Sequence, residues 1–251
     1  MITPTNTGED DLLVTEAATA FALSESGRIQ RENDPDRSEG PRMYLAGCES
    51  GNIVRIRHDV EDETVREIEA LVASEPPLAN PDSTPLHLAE YVDLLDAKAP
   101  VEQKSLGMNY CFPDDLWYEH DVTLVSSDTP EGDRLLSSLA ADRAMPDNLE
   151  SLGFRAVTDI WAPWCVALRQ GEIASIGMTA RIGPTGAAAG VVTVPESRGR
   201  GFAAAAMAGW ASHPSLQGRT LFYGTQRTNV SSQRVAARLG LHFIGASFRL
   251  T

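Results

Sequence analysis

Residues 191–206 read Val-Val-Thr-Val-Pro-Glu-Ser-Arg-Gly-Arg-Gly-Phe-Ala-Ala-Ala-Ala. Its first four residues, three valines and a threonine, are typical of a buried strand. Pro195 cannot continue a β-ladder, and the alanines at the end of the stretch have a high helix propensity. The stretch therefore predicts a strand, a turn and a helix in direct succession.

The turn between this strand and this helix has the composition of an anion-binding site. The first N–H groups of a helix have no partner within the helix, and the helix dipole makes that end positive. Gly199 and Gly201 let the backbone approach a ligand without a Cβ in the way. Arg198 and Arg200 add positive charge at the rim. The turn therefore predicts a phosphate-binding loop.

A dinucleotide is one ligand class that such a loop can bind. The spacing Gly199-x-Gly201-x-x-Ala204 fits the dinucleotide fingerprint. That fingerprint also requires an acidic residue about 20 positions further on, which holds a ribose hydroxyl. No aspartate or glutamate follows Glu196 in the sequence. NAD and FAD are therefore disfavoured.

The same loop fits a second pattern. The spacing Arg198-x-x-Gly201-x-Ala203 resembles the diphosphate loop of the GNAT superfamily of acyl-CoA-dependent N-acyltransferases. Residues 229–241 resemble the second motif of that superfamily, in which an asparagine opens a helix that closes on a basic residue and a glycine. Asn229 is a good N-cap for such a helix. The resemblance implies an α/β (α+β) fold, with a mixed, mostly antiparallel sheet flanked by helices.

The resemblance covers only the second part of the chain. From residue 114 to residue 251 the predicted strands and helices follow the order of a GNAT domain, including a helix over residues 130–142. Residues 1–113 show no such resemblance, although residues 12–23 have a helical composition. We therefore predict a GNAT domain over 114–251 and an N-terminal region over 1–113. That region is either an accessory region or a degenerate second copy of the same fold.

The resemblance also implies which residues hold acetyl-CoA. The backbone of the central strand would run beside the pantetheine arm, and one strand N–H group would polarise the thioester carbonyl. These strand residues are Val192, Thr193 and Val194. The residues that would bind the diphosphate are Arg198, Gly199, Arg200, Gly201, Phe202, Ala203 and Ala204. Asn229 would bond the pantetheine arm.

The usual proton-transfer groups of the superfamily are missing from this sequence. An attacking amine must lose a proton and the leaving thiolate must gain one. The usual glutamate and tyrosine positions correspond here to Ala188 and Ala236. Ser232 is the remaining candidate for protonating the thiolate, and a lone Cys165 is more typical of a small apolar residue than of a nucleophile. Other candidates for the base are Glu172, Glu196, Tyr223 and His242.

Composition sets the remaining expectations. Apolar residues make up 42% of the 251 residues, and no apolar run reaches the roughly 20 residues of a membrane helix. The polar, acidic start of the chain does not resemble a secretory signal. Three widely spaced cysteines argue against a disulfide framework or a zinc cluster. We therefore expect a cytoplasmic protein with no bound metal and no membrane partner.

Charge is divided unevenly along the chain. Residues 186–251 carry seven arginines and one acid, whereas the remainder carries 14 basic and 34 acidic residues. This division suits a polyanionic cofactor and disfavours nucleic acid. The sequence thus predicts an enzyme that moves an acetyl group from acetyl-CoA to a small-molecule or peptide amine by direct attack in a ternary complex. The alternative is a GNAT-like sensor or scaffold that binds acyl-CoA without turnover, and a homodimer is left open.

Overall fold

Eleven strands and seven α-helices form within residues 8–141 and 145–251, the part of the chain that this computed structural model describes. The strands are β1 (Phe21–Leu23), β2 (Ile29–Glu32), β3 (Met43–Cys48), β4 (Gly51–Ile56), β5 (Lys104–Cys111), β6 (Thr123–Ser126), β7 (Trp164–Arg169), β8 (Glu172–Ile182), β9 (Gly186–Thr193), β10 (Thr220–Gln226) and β11 (His242–Leu250). The helices are α1 (Glu9–Ala20), α2 (Asp62–Val72), α3 (Leu88–Asp96), α4 (Pro130–Ala141), α5 (Asp147–Glu150), α6 (Phe202–Ala211) and α7 (Val230–Arg238).

Nine of the strands form one sheet, in the order β4-β3-β11-β5-β10-β9-β8-β7-β6, while β1 and β2 form a separate hairpin. Neighbouring strands of the large sheet are antiparallel, except that β9 and β10 run parallel. A parallel pair needs a crossover connection, and α6 supplies it. The predicted mixed, mostly antiparallel sheet with flanking helices is confirmed.

The N-terminal region contributes three strands to this sheet. β3 and β4 extend the sheet beyond β11, and β5 lies between β10 and β11. Strands from both sides of the predicted boundary at residues 113 and 114 therefore share one sheet. The division into 1–113 and 114–251 stays a prediction about domain boundaries, and residues 1–7 and 142–144 lie outside the described residues.

The first predicted helix has different limits in the structure. Residues 12–23 have a helical composition, but α1 ends at Ala20 because Phe21–Leu23 pairs with Ile29–Glu32 as a strand. Hydrogen bonds across this hairpin outweigh the weak local preference for helix. The predicted helix over 130–142 begins at Pro130 and continues to Ala141, and its last predicted residue lies outside the described residues.

Helix α6 packs directly on β7, β8 and β9. A Cβ on Gly177 of β8 would lie 2.8 Å from the Ala206 carbonyl oxygen, so the glycine permits this close contact. The alanines at 204–206 are fully buried, and the Trp210 indole N–H donates to the Thr179 hydroxyl at 3.0 Å. The alanine run therefore serves close packing as well as helix formation, and it fixes the start of α6 against the end of β9.

The opposite face of the sheet is covered by other elements. Helix α1 lies across β3, β9 and β11, and an ion pair between Glu32 and Arg181 ties the β1–β2 hairpin to β8. Leu139 of α4 packs in an apolar cluster with Trp164 and Ile176. Helices therefore flank both faces of the sheet, and the crossing of α6 brings one helix N-terminus to the end of the central strands.

Candidate cofactor and catalytic site

The parallel strands β9 and β10 are paired along only the first half of their length. Their pairing runs from Gly186 opposite Thr220 to Ala189 opposite Tyr223. Beyond this point residues 190–193 and 224–226, all within the described chain, make no ladder with each other. Backbone groups on the facing edges of the two strands are therefore left for a ligand, because unpaired N–H and C=O groups need partners.

The alternation of β9 determines which backbone groups face this gap. The Val194 N–H donates to the Ala174 carbonyl of β8 at 3.0 Å, and the Val192 carbonyl accepts from the Ser175 hydroxyl at 2.6 Å. Successive peptide groups of a strand point to opposite sides. Thr193 therefore presents its N–H and C=O to the gap.

Of the three predicted strand residues, Val192 and Val194 direct backbone groups to β8. By the same alternation Val191 presents its backbone to the gap together with Thr193, and sequence reasoning did not include Val191. Period-two alternation was readable in the sequence, but the sequence did not reveal which set of residues faces β8.

The loop between β9 and α6 has the strand–turn–helix form that its sequence indicated. A short 3-10 turn spans Pro195–Ser197. Gly199 and Gly201 have φ angles of 75° and 91°, which lie in the left-handed region where glycine avoids a steric penalty. The first backbone bond of α6 runs from the Ala205 N–H to the Gly201 carbonyl. The N–H groups of residues 202–204 therefore point out of the helix toward the loop.

The arginines of this loop differ in their contacts. Arg198 donates from Nε to the Thr193 carbonyl at 3.3 Å and so lies along the end of β9. Arg200 is exposed. Both guanidinium groups lie on the loop that holds the free amides, so positive charge and N–H donors are concentrated at one end of the gap.

Two further side chains converge on Gly201. A Cβ at this position would lie 3.1 Å from Nη1 of Arg238 and 3.2 Å from the hydroxyl of Tyr118. Arg238 ends α7, and Tyr118 belongs to the connection between β5 and β6. Sequence reasoning assigned neither residue a role. The basic position of the second motif was a signal for Arg238, whereas no local pattern around Tyr118 indicated its place.

Helix α7 brings the predicted Asn229 and Ser232 to the other side of the gap. The Asn229 side-chain oxygen accepts the Ser232 N–H at 3.1 Å, as an N-cap does, which leaves its amide NH₂ as a donor. Burial raises the pKa of the Tyr223 phenol, and the neighbouring Ser232 side chain offsets part of this rise. Tyr223 is the last residue of β10 that pairs with β9, so the Tyr223 and Ser232 side chains lie near the point where these two strands separate.

The usual acid and base positions hold apolar side chains here. Ala236 is buried beside Tyr223 and Leu239, and Ala188 packs in the apolar cluster beneath α1. Cys165 is fully buried, and burial raises the pKa of its thiol, which disfavours the thiolate that a nucleophile requires. Of the other predicted bases, Glu172, Glu196 and His242 are exposed.

A buried carboxyl group from the N-terminal region lies on the opposite face of the sheet. The Tyr44 hydroxyl donates to Glu16 at 2.5 Å, and the Asn109 amide donates to Tyr44 at 3.0 Å. Burial raises the pKa of Glu16, while Arg249 lowers it. The Asn109 oxygen would lie 3.8 Å from a Cβ on Gly224, next to the gap. Sequence reasoning missed this series of hydrogen bonds, because one acid in an alanine-rich helix carries no local signal.

The described residues also bear on metal binding and on membrane-spanning helices. Among residues 8–141 and 145–251, no group of three or more His, Cys, Asp or Glu side chains is arranged to hold a metal ion. No helix in the described chain has the length and apolarity needed to cross a membrane.

The site thus combines one diverging parallel strand pair with a glycine loop that leads to a helix N-terminus. Residues 136–242 match a family model described as the acetyltransferase (GNAT) domain. This match assigns residues 136–242 to the GNAT domain family. No curated protein matches the sequence.

Solved structures with a similar fold are distant in sequence. An acetyltransferase from the GNAT family of Colwellia psychrerythraea is 12% identical, with a TM-score of 0.44 and coverage of 99% of this chain and 98% of that one. A GCN5-related N-acetyltransferase-like protein from Streptococcus suis is 14% identical, with a TM-score of 0.43 and 86% of each chain covered. A GCN5-related N-acetyltransferase from Sphaerobacter thermophilus is 12% identical, with a TM-score of 0.45, covering 86% of this chain and 78% of that one.

Proposed function

We propose that the protein is an N-acetyltransferase that moves an acetyl group from acetyl-CoA to the amine of a small molecule or peptide. The single observation that carries this proposal is the gap between β9 and β10, which leads to the amides of the Gly199–Gly201 turn. An elongated ligand with an amide-bearing arm and a diphosphate matches these two features in that order. Acetyl-CoA is such a ligand, and it would supply the acetyl group as a thioester.

The chain's own groups divide the binding between two parts of the site. Thr193 and Val191 would pair with the amides of the pantetheine arm, since their backbone groups face the gap. The amides of residues 202–204, with Arg198 and Arg200, would bind the diphosphate. Asn229 would donate its free amide hydrogens to the arm from the opposite side. A strand N–H aimed at the thioester oxygen would stabilise the negative charge that develops there.

Proton transfer would rest on the hydroxyl groups of Ser232 and Tyr223, near the point where β9 and β10 separate. Ser232 would donate a proton to the leaving thiolate and take one back from water, which receives the proton of the amine, and Tyr223 beside it would hold the serine hydroxyl in place. The Ala188 position offers no base, so the amine must either arrive unprotonated or lose its proton to water. This requirement favours an acceptor amine that is partly neutral at the working pH. The acidic surface of the remaining chain suits an acceptor without nucleic-acid character.

A thiol-release assay tests the proposal. Calorimetry first measures whether the purified chain binds CoA and acetyl-CoA. Free CoA is then followed with a thiol reagent while acetyl-CoA is incubated with a panel of amines. The three cysteines of the protein are buried, and a reaction without amine corrects for them. Release that depends on one amine class supports transfer. The absence of binding contradicts the cofactor assignment, and binding without release for any amine contradicts the transferase assignment.

A further inference from the structure

The connection between β5 and β6, residues 113–122, runs over the same face of the sheet as α6 and α7. It leaves β5 where the Phe112 N–H donates to the Leu221 carbonyl of β10 at 2.9 Å. It reaches β6 beyond β7, at the edge of the sheet. Leu116 and Tyr118 pack against the apolar cluster beneath α6 and α7. We call residues 113–122 the linker segment, and it lies outside the residues that match the GNAT family model.

The linker segment places a hydroxyl group at the start of α6. Tyr118 is half-buried, and its ring stacks on His120 with the centroids 6.1 Å apart. Its hydroxyl and the Arg238 guanidinium both lie next to Gly201. Within the residues that the structure describes, neither group has a hydrogen-bond partner. Two free donors therefore meet the outward-pointing amides of α6 at one spot, which is the arrangement that a phosphate group satisfies.

The neighbouring Trp117 is the most exposed large apolar side chain in the described chain, at 85%. By contrast Trp164 and Trp210 are buried, at 2% and 0%, and Trp161 is half-buried. An indole left in water next to a phosphate-binding group is well placed to cover a base, since every nucleobase offers a flat face for stacking. In CoA the adenine is one ribose away from the diphosphate, which is within reach of the residue next to Tyr118.

We propose that the linker segment forms the nucleotide end of the cofactor site. In this arrangement the Tyr118 hydroxyl and the Arg238 guanidinium bind the diphosphate, while the Trp117 indole stacks on the adenine. The proposal rests on the proposed function, because it requires the diphosphate of CoA to occupy the Gly199–Gly201 turn. It adds a binding surface from outside residues 136–242, and it makes cofactor affinity depend on residues that precede the family match.

The charges around the linker segment are consistent with this assignment. Its own acids are exposed, and they can turn toward water when a phosphate binds; they are Asp114, Asp115, Glu119 and Asp121. The exposed side chains of the loop between β9 and α6 and of α7 include four arginines, and they are Arg198, Arg200, Arg234 and Arg238. The phosphate groups would therefore lie on the arginine side, while the uncharged indole takes the base.

Calorimetric titration with two probes separates the parts of the proposal. The probes are CoA and 4′-phosphopantetheine, which lacks the adenosine. We expect Trp117→Ala to weaken CoA binding by about 10-fold or more and to leave the affinity for 4′-phosphopantetheine unchanged. Tyr118→Phe should weaken the binding of CoA about 10-fold or more, because a bond to a charged phosphate is lost. Leu86→Ala, which removes another exposed apolar side chain (64% exposed), is the matched control and should bind CoA as the wild type does.

Intrinsic fluorescence gives an independent readout. Trp117 is the tryptophan most open to solvent, so saturating CoA should protect part of the emission from acrylamide quenching. Trp117→Phe keeps an aromatic ring and should retain most of the CoA affinity while losing the protected component. CoA binding at wild-type strength by both Trp117→Ala and Tyr118→Phe would overturn the proposal. If Trp117→Ala lost equal affinity for CoA and for 4′-phosphopantetheine, the stacking role of Trp117 would also be overturned. Failure of the wild type to bind CoA would instead refute the proposed function.

Discussion

Replacement of Gly201 by alanine tests the phosphate loop directly. Gly201 has a φ of 91°, and a residue with a Cβ pays roughly 1–2 kcal/mol in this left-handed conformation. The added methyl group would lie 3.1 Å from Arg238 Nη1 and 3.2 Å from the Tyr118 hydroxyl. Both atoms are ends of flexible side chains, so the fold can accommodate the methyl group. A phosphate that approaches the backbone amides would meet the methyl group and would lose contacts with these amides.

The expected loss of affinity follows from these contacts. A hydrogen bond to a charged group contributes about 1.5–3 kcal/mol, and each 1.4 kcal/mol is about a factor of ten in Kd. Losing one phosphate contact should therefore raise the Kd for CoA roughly 10- to 150-fold. Calorimetric titration measures the Kd, and thermal unfolding measures the stability of the same samples.

Gly171 supplies the matched control for backbone strain. It has a φ of 86° in the turn between β7 and β8, and a Cβ there would meet no other described atom within 4 Å. Gly171→Ala should lose a similar amount of stability and keep the wild-type Kd. If Gly201→Ala also kept the wild-type Kd, the diphosphate would not lie against this turn, and the reasoning from the loop geometry would be refuted.

Three further predictions concern proton transfer and the core. Ser232→Ala should lower kcat for acetyl transfer by about 100-fold or more and leave the Kd for acetyl-CoA unchanged; an unaltered kcat would remove Ser232 from the mechanism. Burial raises the pKa of Glu16 above its ordinary 4.5, so the stability that wild type gains from this group is complete below pH 4.5 and is lost as the pH rises through the folded-state pKa. In urea titrations the wild type should therefore lose unfolding free energy relative to Glu16→Gln as the pH rises through the folded-state pKa. A difference between the two proteins that is independent of pH would contradict this prediction. Thr179→Val should cost about 1–3 kcal/mol in the same titrations, because the buried Trp210 N–H loses its acceptor; a smaller loss would mean that the indole finds another partner.

Local patterns were sufficient for the central motif. The valines, proline, glycines and alanines of 191–206 encode a strand, a turn and a helix through their own conformational preferences, and Gly199 and Gly201 have the positive φ angles that only glycine adopts easily. Asn229 caps α7 for an equally local reason, since its side chain reaches an N–H three residues away. These features need no knowledge of the rest of the chain.

Contacts between distant segments were outside the reach of such patterns. Alternation of apolar residues tells which face of a strand is buried, but it does not tell which strands are neighbours. The insertion of β5 between β10 and β11 could therefore not be read from residues 104–111. The end of α1 at Ala20 likewise depends on pairing of residues 21–23 with another strand.

Local sequence was enough to predict the strand, turn and helix of residues 191–206 and the Asn229 cap of α7, because each depends on residues that are close together in the chain. The folded chain, and no local pattern, turns Val191 and Thr193 toward the gap, brings Tyr118 and Arg238 together at Gly201 and buries Glu16 against Tyr44. These arrangements join segments that are tens of positions apart in the chain. Their formation depends on how the whole sheet is assembled, which no short stretch of sequence encodes.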